Sequence, residues 1–508
     1  MEIPAALFAF KEACPMSMIQ VKNLTFSYPS SYDTIFENVS FQIDTNWKLG
    51  FIGRNGKGKT TFLKLLMNQY SYEGSITSSV RFDYFPYPVP DVEALTYEIL
   101  QNICPDAESW EIQRELSYLD VREDILWQPY KTLSNGERTK VLLAALFLKQ
   151  NNFLLIDEPT NHLDTNARMQ VASYLSRKKG FILVCHDQKF MDKCVDHILA
   201  LNRTNIEVQT GNASSYLANF TRQQQFEAEQ NRQLQKEISK MQKAAAQTAN
   251  WSAQVEKSKR GTTNSGSKLD KGFVGHKAAK MMKRSKVLEA HQQQAIEQKR
   301  ALLHNAETTE TLKLSPLVYR TEKLAEFRDI VIRYENRKIC EPVSFEIHNG
   351  ERIVLDGRNG CGKSSLLKLL LGQDIPHTGT LTIASGLIIS YVPQDAGFLQ
   401  GSLSQFAEQS HVNESTFKAI LRKMDFERVQ LEKDMQDFSE GQKKKVLLAR
   451  SLCQQAHLYI WDEPLNYIDV YSRIQLEQLI LKFCPTMLFV EHDQMFQQRI
   501  ATAKIEVE

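Results

Sequence analysis

Short apolar runs without alternating polar positions recur along the chain and predict the buried strands of a parallel sheet. Two runs, 153–156 and 458–461, each end in an Asp-Glu pair, and two others, 181–184 and 487–490, are each followed two residues later by a His-Asp pair. This pattern favours an α/β fold. No stretch approaches the roughly 18 consecutive apolar residues of a membrane span, so we expect no membrane partner.

The stretch between the two sets of strands has a helical pattern. It is rich in Gln, Glu, Lys and Ala, which favour helix, and its apolar residues recur at helical spacing over 234–245 and at every seventh position over 281–302. A break at 261–267 contains Gly, Ser and Asn. The pattern predicts two packed helices joined by a turn, the first of about 30 residues and about 45 Å.

Two glycine-rich loops, 53–60 and 357–364, lie 304 residues apart. Both fit G-x-x-x-x-G-K-[ST], in which backbone N–H groups cradle phosphates, the Lys reaches the β and γ oxygens and the hydroxyl holds Mg²⁺. The sequence therefore predicts two sites for ATP with Mg²⁺. The predicted ATP-binding residues of the loops are Gly53, Asn55, Gly56, Gly58, Lys59, Thr60 and Thr61, and Gly357, Asn359, Gly360, Gly362, Lys363, Ser364 and Ser365.

The landmarks that follow each loop repeat as well. A Leu-Ser-x-Gly-Glu or Phe-Ser-x-Gly-Gln motif begins 80 residues after the first loop and 81 after the second. The Asp-Glu pair lies 24 residues further on in both halves, and the His follows 29 or 30 residues later. Four landmarks in the same order predict a tandem duplication of one nucleotide-binding unit.

The carboxylate pairs and the histidines are the candidate catalytic groups. An Asp-Glu pair that ends a strand is usually a solvated turn, but here a phosphate loop lies 104 or 105 residues upstream. The first carboxylate of each pair, Asp157 or Asp462, can then hold Mg²⁺ through water, and the second can orient the water that attacks the γ-phosphate. The predicted catalytic residues are Glu158, Glu463, His186 and His492.

Together these motifs resemble the ABC ATPase superfamily. The resemblance implies that the two halves pair head to tail, so that each ATP lies between one half's loop and the other half's Ser-x-Gly motif. It also places an aromatic ring on each adenine. By this resemblance the first loop would face Ser439 and Gly441, the second would face Ser134 and Gly136, and the adenine-stacking rings would be Tyr28 and Tyr334.

The two halves also differ from each other, and from the family, at single positions. Gln394 stands where the family has a Gln that contacts Mg²⁺ and water, whereas the first half has Tyr87 at that position. Cys185 precedes His186 where a Ser is common. We therefore expect the two sites to be unequal. The predicted Mg²⁺ ligands are Thr60, Asp157, Ser364, Gln394 and Asp462.

Charge is concentrated in the linker. The 508 residues carry a net charge of +2, but 240–286 holds 12 basic and two acidic residues, a net of +10, so the rest of the chain sums to −8. A charge run is usually a solvated helix face, but this concentration, with aromatics interleaved, favours a salt-sensitive contact with RNA phosphate. The predicted contacts are Lys257, Lys259, Arg260, Lys268, Lys271, Lys277, Lys280, Lys283, Arg284 and Lys286.

Two such halves joined by a basic hairpin resemble the ABC-F family of ribosome-associated ATPases. The segments Thr45-Asn46-Trp47-Lys48-Leu49-Gly50, 275–286 and 461–467 are similar to its Lsa-type antibiotic-resistance branch. This resemblance implies an ATP-bound form in the ribosomal E site, with large-subunit rRNA and P-site tRNA as partners. It also implies displacement of lincosamide, pleuromutilin and streptogramin A antibiotics from the peptidyl transferase centre.

The expected fold class is α/β, with two tandem ABC-type P-loop ATPase domains joined by a long α-helical hairpin. We expect a disordered extension over 1–17, ATPase domains over 18–218 and 311–508, and the hairpin over 219–310.

The C-x-x-C pattern is missing, so the eight cysteines are expected to be free thiols of a cytoplasmic, monomeric protein. Three alternatives stay open: a housekeeping ABC-F translation factor, the ATPase subunit of an exporter, and a DNA-repair ATPase.

Overall fold

The computed structural model describes residues 17–28, 34–161, 163–202, 205–258, 312–334 and 337–507. The chain forms two compact units, one made of 1–216 with 311–508 and the other of 217–310. Among the described residues, no helix is long and apolar enough to cross a membrane. Residues 1–16 and 259–311 lie outside the described ranges, and with them the expectations for most of the amino-terminal extension, the 261–267 break and the second helix of the hairpin.

The first half contains two sheets. A six-stranded sheet has the order β5-β6-β7-β3-β8-β9 and is parallel except for its last pair, and a three-stranded antiparallel sheet has the order β2-β1-β4. The strands are β1 (Met18–Ser27), β2 (Thr34–Asp44), β3 (Lys48–Gly53), β4 (Glu73–Thr77), β5 (Arg81–Phe85), β6 (Asn152–Asp157), β7 (Phe181–Val184), β8 (His197–Asn202) and β9 (Asn205–Thr210).

The helix that follows the first phosphate-binding loop is packed between these sheets. Phe62, Leu63 and Leu66 are buried there together with strand residues from both sheets. The loop therefore has little freedom to move relative to the sheet. The helices are α1 (Lys59–Leu66), α2 (Thr96–Ile103), α3 (Ser109–Tyr118), α4 (Asn135–Leu148), α5 (Thr165–Ser176) and α6 (Gln188–Cys194), with a 3₁₀ turn at Glu123–Trp127.

The second half repeats this plan. Its parallel sheet has the order β15-β16-β17-β13-β18, and its antiparallel sheet has β10 paired with β11, β12 and β14. The strands are β10 (Lys323–Tyr334), β11 (Arg337–Lys338), β12 (Val343–His348), β13 (Arg352–Asp356), β14 (His377–Ile383), β15 (Ile389–Val392), β16 (Leu458–Asp462), β17 (Met487–Val490) and β18 (Ala503–Glu506). The first half is followed by the long linker helix α7 (Ala213–Ser258). The helices of the second half are α8 (Lys363–Leu370), α9 (Leu403–Gln409), α10 (Glu414–Lys423), α11 (Glu440–Cys453), α12 (Val470–Phe483) and α13 (Gln494–Ile500).

The linker begins with one helix that is longer than the sequence pattern indicated. Helix α7 spans Ala213–Ser258, 46 residues, or about 69 Å, rather than about 30 residues. The reason lies in the composition, because neither Gly nor Pro occurs between Gly211 and Gly261, so nothing interrupts the helix. Of the predicted RNA contacts only Lys257 lies in this helix; the others are outside the described residues.

A buried ion pair ties the second half together behind its Ser-x-Gly motif. Lys445 Nζ lies 2.7 Å from Asp469 Oδ2, and it also donates to the Met424 carbonyl at 2.9 Å. Burial alone would raise the pKa of Asp469, but Lys445 outweighs it and holds that pKa well below its usual range. In the first half the equivalent Lys140 donates to the neutral amide of Gln170.

We predict that Lys445→Met destabilises the second half by about 3–5 kcal/mol, because it leaves the Asp469 carboxylate buried without its cation. Lys140→Met is the matched control and should cost only about 1–2 kcal/mol, since its partner is uncharged. Urea unfolding followed by far-UV circular dichroism measures the loss in each variant. Equal losses in both variants would contradict this assignment.

Candidate functional site

Both phosphate-binding loops lie at the carboxyl edge of a parallel sheet, next to the candidate catalytic groups. In the first half the loop follows β3, His186 follows β7, and Asp157 ends β6, and these three strands are neighbours. The second half places its loop, His492 and Asp462 after β13, β17 and β16 in the same order. Ligands of open α/β sheets bind at this edge.

Each loop leads into its helix through a glycine in the left-handed backbone conformation. Gly58 has φ 105° and Gly362 has φ 94°, a conformation that favours glycine. The first-turn N–H groups of α1 and α8 thus face the edge of the sheet, as phosphate binding requires. The loop lysines donate to carbonyls of their own loops, Lys59 to Gly53 at 2.7 Å and Lys363 to Gly357 at 2.8 Å.

The first-half carboxylate Asp157 is held by two hydroxyl groups. Thr60 Oγ1 and the Tyr84 hydroxyl each donate to Asp157 Oδ2 at 2.9 Å. Burial and the neighbouring Glu158 raise the pKa of Asp157, while the two hydrogen bonds oppose that rise. The hydroxyl of Thr60 and this carboxylate are the oxygen donors that Mg²⁺ prefers, and in the second half Ser364 and Asp462 form the corresponding pair.

Tyr84 contacts a predicted Mg²⁺ ligand and was not singled out from the sequence. The phenol of this segment was expected at Tyr87, but the Tyr87 ring lies 5.5 Å from Lys149 Nζ, and it is Tyr84 that reaches Asp157. Tyr84 belongs to β5 and pairs with Leu155 of β6, so its side chain lies beside the end of the catalytic strand. Tyr84 and Tyr391 each lie two residues before a proline. This shared position is the signal that could have identified Tyr84.

Glu158 and His186 contact each other beneath the first loop. His186 Nε2 lies 3.0 Å from Glu158 Oε1 and 3.4 Å from Lys59 Nζ. Burial lowers the pKa of His186, and Glu158 opposes that shift. Because a carboxylate can only accept, the ring Nε2–H donates to Glu158. Burial alone would raise the pKa of Glu158, but His186 and Lys59 outweigh it and lower that pKa. An ionised Glu158 can accept a proton from a water that attacks the γ-phosphate.

The second half holds its glutamate differently. Asn466 donates to Glu463 Oε2, and His492 Nε2 is 3.8 Å from Glu463 Oε1. Burial lowers the pKa of His492 to about 3. Both glutamates share a left-handed backbone, with φ 51° at Glu158 and 46° at Glu463, a conformation that non-glycine residues adopt at a cost of about 1 kcal/mol or more.

The first loop is closed by the second half. Asn55 donates to the Tyr467 carbonyl, and a Cβ added to Gly441 would lie 2.8 Å from Asn55 Nδ2 and 2.6 Å from the Tyr467 carbonyl oxygen. Only glycine therefore fits between them. The structure thus brings Gly441, a predicted partner of the first site, against the first loop.

The corresponding glycines of the second site have more open surroundings in the described part of the chain. Among the described residues, a Cβ on Gly360 would meet nothing within 4 Å, and one on Gly136 would meet only Leu163 of its own half, at 3.5 Å. Ser134 and Ser439 both serve as N-caps, of α4 and α11, in reciprocal capping boxes with Glu137 and Gln442. The two Ser-x-Gly motifs therefore share the same capping design.

In the described part of the chain, two ion pairs between the halves border the first loop. Arg54 pairs with Asp425, and Lys57 pairs with Glu427. The second loop has Cys361 in place of Lys57, and the first half has Arg122 where the second has Glu427. A cysteine and an arginine cannot form this ion pair, so the charge arrangement distinguishes the two interfaces.

The remaining predicted residues lie around the two loops. The Tyr28 hydroxyl is 2.8 Å from Thr61 Oγ1, and the Tyr334 hydroxyl is 3.0 Å from Ser365 Oγ, so each ring lies beside its phosphate-binding helix. Gln394 is exposed, and its backbone carbonyl accepts a hydrogen bond from Lys444 Nζ at 3.2 Å. Lys444 also donates to the backbone carbonyl of Asp462. Burial lowers the pKa of Lys444 to about 8. This lysine was not among the residues predicted from the sequence.

Comparisons with known proteins agree with this geometry. The ABC transporter family model matches residues 36–161 and 340–466. The putative ATP-binding protein YdiF of Bacillus subtilis (strain 168) is 27% identical over 97% of this chain and 80% of its own length. Ribosome protection protein VmlR of the same organism is 26% identical over 96% of this chain and 87% of its own length. A solved complex of the archaeal ribosomal stalk protein aP1 with the ribosome recycling factor aABCE1 shares the fold, with a TM-score of 0.62, 19% identity, and coverage of 96% of this chain and 87% of that one.

The fold and its two phosphate-binding loops define a P-loop nucleotide hydrolase. The chain is an ABC ATPase with two ATPase domains in tandem, and its reaction is the hydrolysis of ATP. The predicted fold class is confirmed. When bound, Mg²⁺ would neutralise charge on the transferred phosphoryl group, and Thr60 with Asp157 and Ser364 with Asp462 are the donors that would hold it.

We predict that Lys57→Glu weakens ATP binding about two- to fivefold, because it replaces an attraction to Glu427 by repulsion across a partly exposed interface. The double swap Lys57→Glu/Glu427→Lys should restore the affinity. ATP titration at low salt measures both, with Cys361→Ser as the control at the matching position of the second loop. Failure of the swap to restore binding would contradict the ion-pair assignment.

We predict that Tyr84→Phe raises the Mg²⁺ concentration for half-maximal ATP hydrolysis about three- to tenfold, because Asp157 loses one of its two donors. Tyr391→Phe is the matched control, since within the described residues its hydroxyl makes no hydrogen bond. The measurement is the ATPase rate as a function of Mg²⁺. Equal shifts in both variants would argue against a special role for Tyr84.

Proposed function

We propose that the protein is a cytoplasmic ABC-F-type ATPase that binds the ribosomal E site when ATP closes its two halves. In this form it displaces lincosamide, pleuromutilin and streptogramin A antibiotics from the peptidyl transferase centre. Hydrolysis, with Glu158 and Glu463 as the bases, then releases the protein. The observation that carries the proposal is two mutually contacting ATPase domains on one chain with a strongly basic linker between them.

Several further observations support the proposal. The linker segment 240–286 has a net charge of +10, as a contact with rRNA and P-site tRNA phosphates requires. The relative VmlR, which matches 96% of this chain, is named a ribosome protection protein. The contact between Asn55 and the second half supports closure of the two halves of one chain on each other.

A housekeeping translation factor of the same family is the second candidate. The relative YdiF, named only as a putative ATP-binding protein, is at least as similar to this chain as VmlR is. Both candidates use the same ATPase chemistry, so the ATP sites do not separate them. They differ in one respect: only the first removes a bound drug.

The test is ribosome pelleting with the Glu158→Gln/Glu463→Gln variant. We predict that this variant pellets with ribosomes in ATP but not in ADP, because it binds ATP and cannot hydrolyse it. It should also release a radiolabelled lincosamide prebound to the ribosomes, and the pelleting should weaken as salt rises. Pelleting without drug release would favour the housekeeping factor, and no pelleting in any nucleotide would overturn both.

A further inference from the structure

A group of aromatic side chains lies on the helical part of the first half. We call Tyr97, Trp110 and Trp127 the aromatic face. The rings of Tyr97 and Trp127 stack with centroids 5.4 Å apart and 28° between their planes. The Tyr97 hydroxyl lies 2.6 Å from Ser109 Oγ, directly beside Trp110 in the chain. Trp110 is 54% exposed and Trp127 65%, so the face offers water a large apolar area.

Hydrogen bonds fix the orientation of this face. Trp110 Nε1 donates to Glu108 Oε2 at 2.6 Å, and Gln101 Nε2 donates to the Tyr97 hydroxyl at 2.9 Å. Rings held in place in the free protein lose little conformational entropy when a partner binds. The aromatic face is therefore preorganised for a contact.

The surroundings of the aromatic face are strongly acidic. Residues 91–131 contain ten acidic and three basic residues, a net of −7. Glu98 adjoins Tyr97 in the chain, and Glu123 begins the 3₁₀ turn that ends at Trp127; both are exposed and form no ion pair within the described part of the chain. The corresponding stretch of the second half, 398–436, has six acidic and five basic residues, a net of −1, and neither Tyr nor Trp.

These charges decide the chemistry of the partner. Like charge disfavours a nucleic acid on this surface, whereas arginine and lysine side chains can both stack on indole rings and pair with free carboxylates. Arg114 already lies 5.0 Å from the Trp110 ring centroid, which shows this stacking on the face itself. We propose that the aromatic face docks an arginine- and lysine-rich segment of a partner protein. This contact is separate from the RNA contact proposed for the linker and does not depend on it.

The test uses the intact protein and a dye-labelled arginine-rich peptide, with an oligouridylate of equal length as the polyanion probe. Fluorescence anisotropy gives the affinity of each. We expect Tyr97→Ala/Trp127→Ala and Glu98→Gln/Glu123→Gln each to weaken peptide binding about tenfold. The matched controls, Phe398→Ala and Glu73→Gln/Glu207→Gln, replace exposed residues elsewhere and should change it less than about twofold.

The outcomes separate the two classes of partner. Peptide binding that falls with the face variants and survives in the controls supports the proposal. Oligouridylate binding that falls with the face variants would overturn it in favour of RNA. Peptide binding that is undetectable, or that all variants reduce equally, would also overturn it. Unchanged ATP hydrolysis in the face variants confirms that they remain folded.

Discussion

The close approach of the first phosphate-binding loop to the second half is the contact on which the rest of the ATPase unit depends. Asn55 reaches the Tyr467 carbonyl only because position 441 carries no side chain. This contact places the second half over the site where Lys59, Glu158 and His186 meet. The absence of a side chain at position 441 thus permits the contact through which the two folds meet at the first loop.

The two sites share a topology but not their electrostatics. Tyr84 holds Asp157 in the first site, whereas Lys444 holds the backbone of Asp462 and Gln394 in the second. Ion pairs join the halves beside the first loop, while Cys361 takes the place of one of these cations in the second. The inequality of the sites stays a prediction, and these contacts give it a physical basis.

The sequence predicted the parts that depend on local chemistry. A phosphate-binding loop needs glycines at fixed spacing, and a buried parallel strand needs an apolar run, so both could be recognised without tertiary information. The bond from Tyr84 to Asp157 and the pairing of Lys57 with Glu427 depend on how strands and halves approach each other, which no local pattern encodes. The length of α7 was underestimated because its apolar repeat begins later than its helix.

Retention of ATP tests closure at the first loop most directly. In the Glu158→Gln/Glu463→Gln background, the protein is loaded with radiolabelled ATP and passed through a desalting column. A Cβ at position 441 would lie 2.8 Å from Asn55 Nδ2, whereas among the described residues one at position 136 meets only Leu163, at 3.5 Å. We predict that Gly441→Ala loses one of the two retained nucleotides and that Gly136→Ala keeps both. Full retention by Gly441→Ala would contradict closure at the first loop.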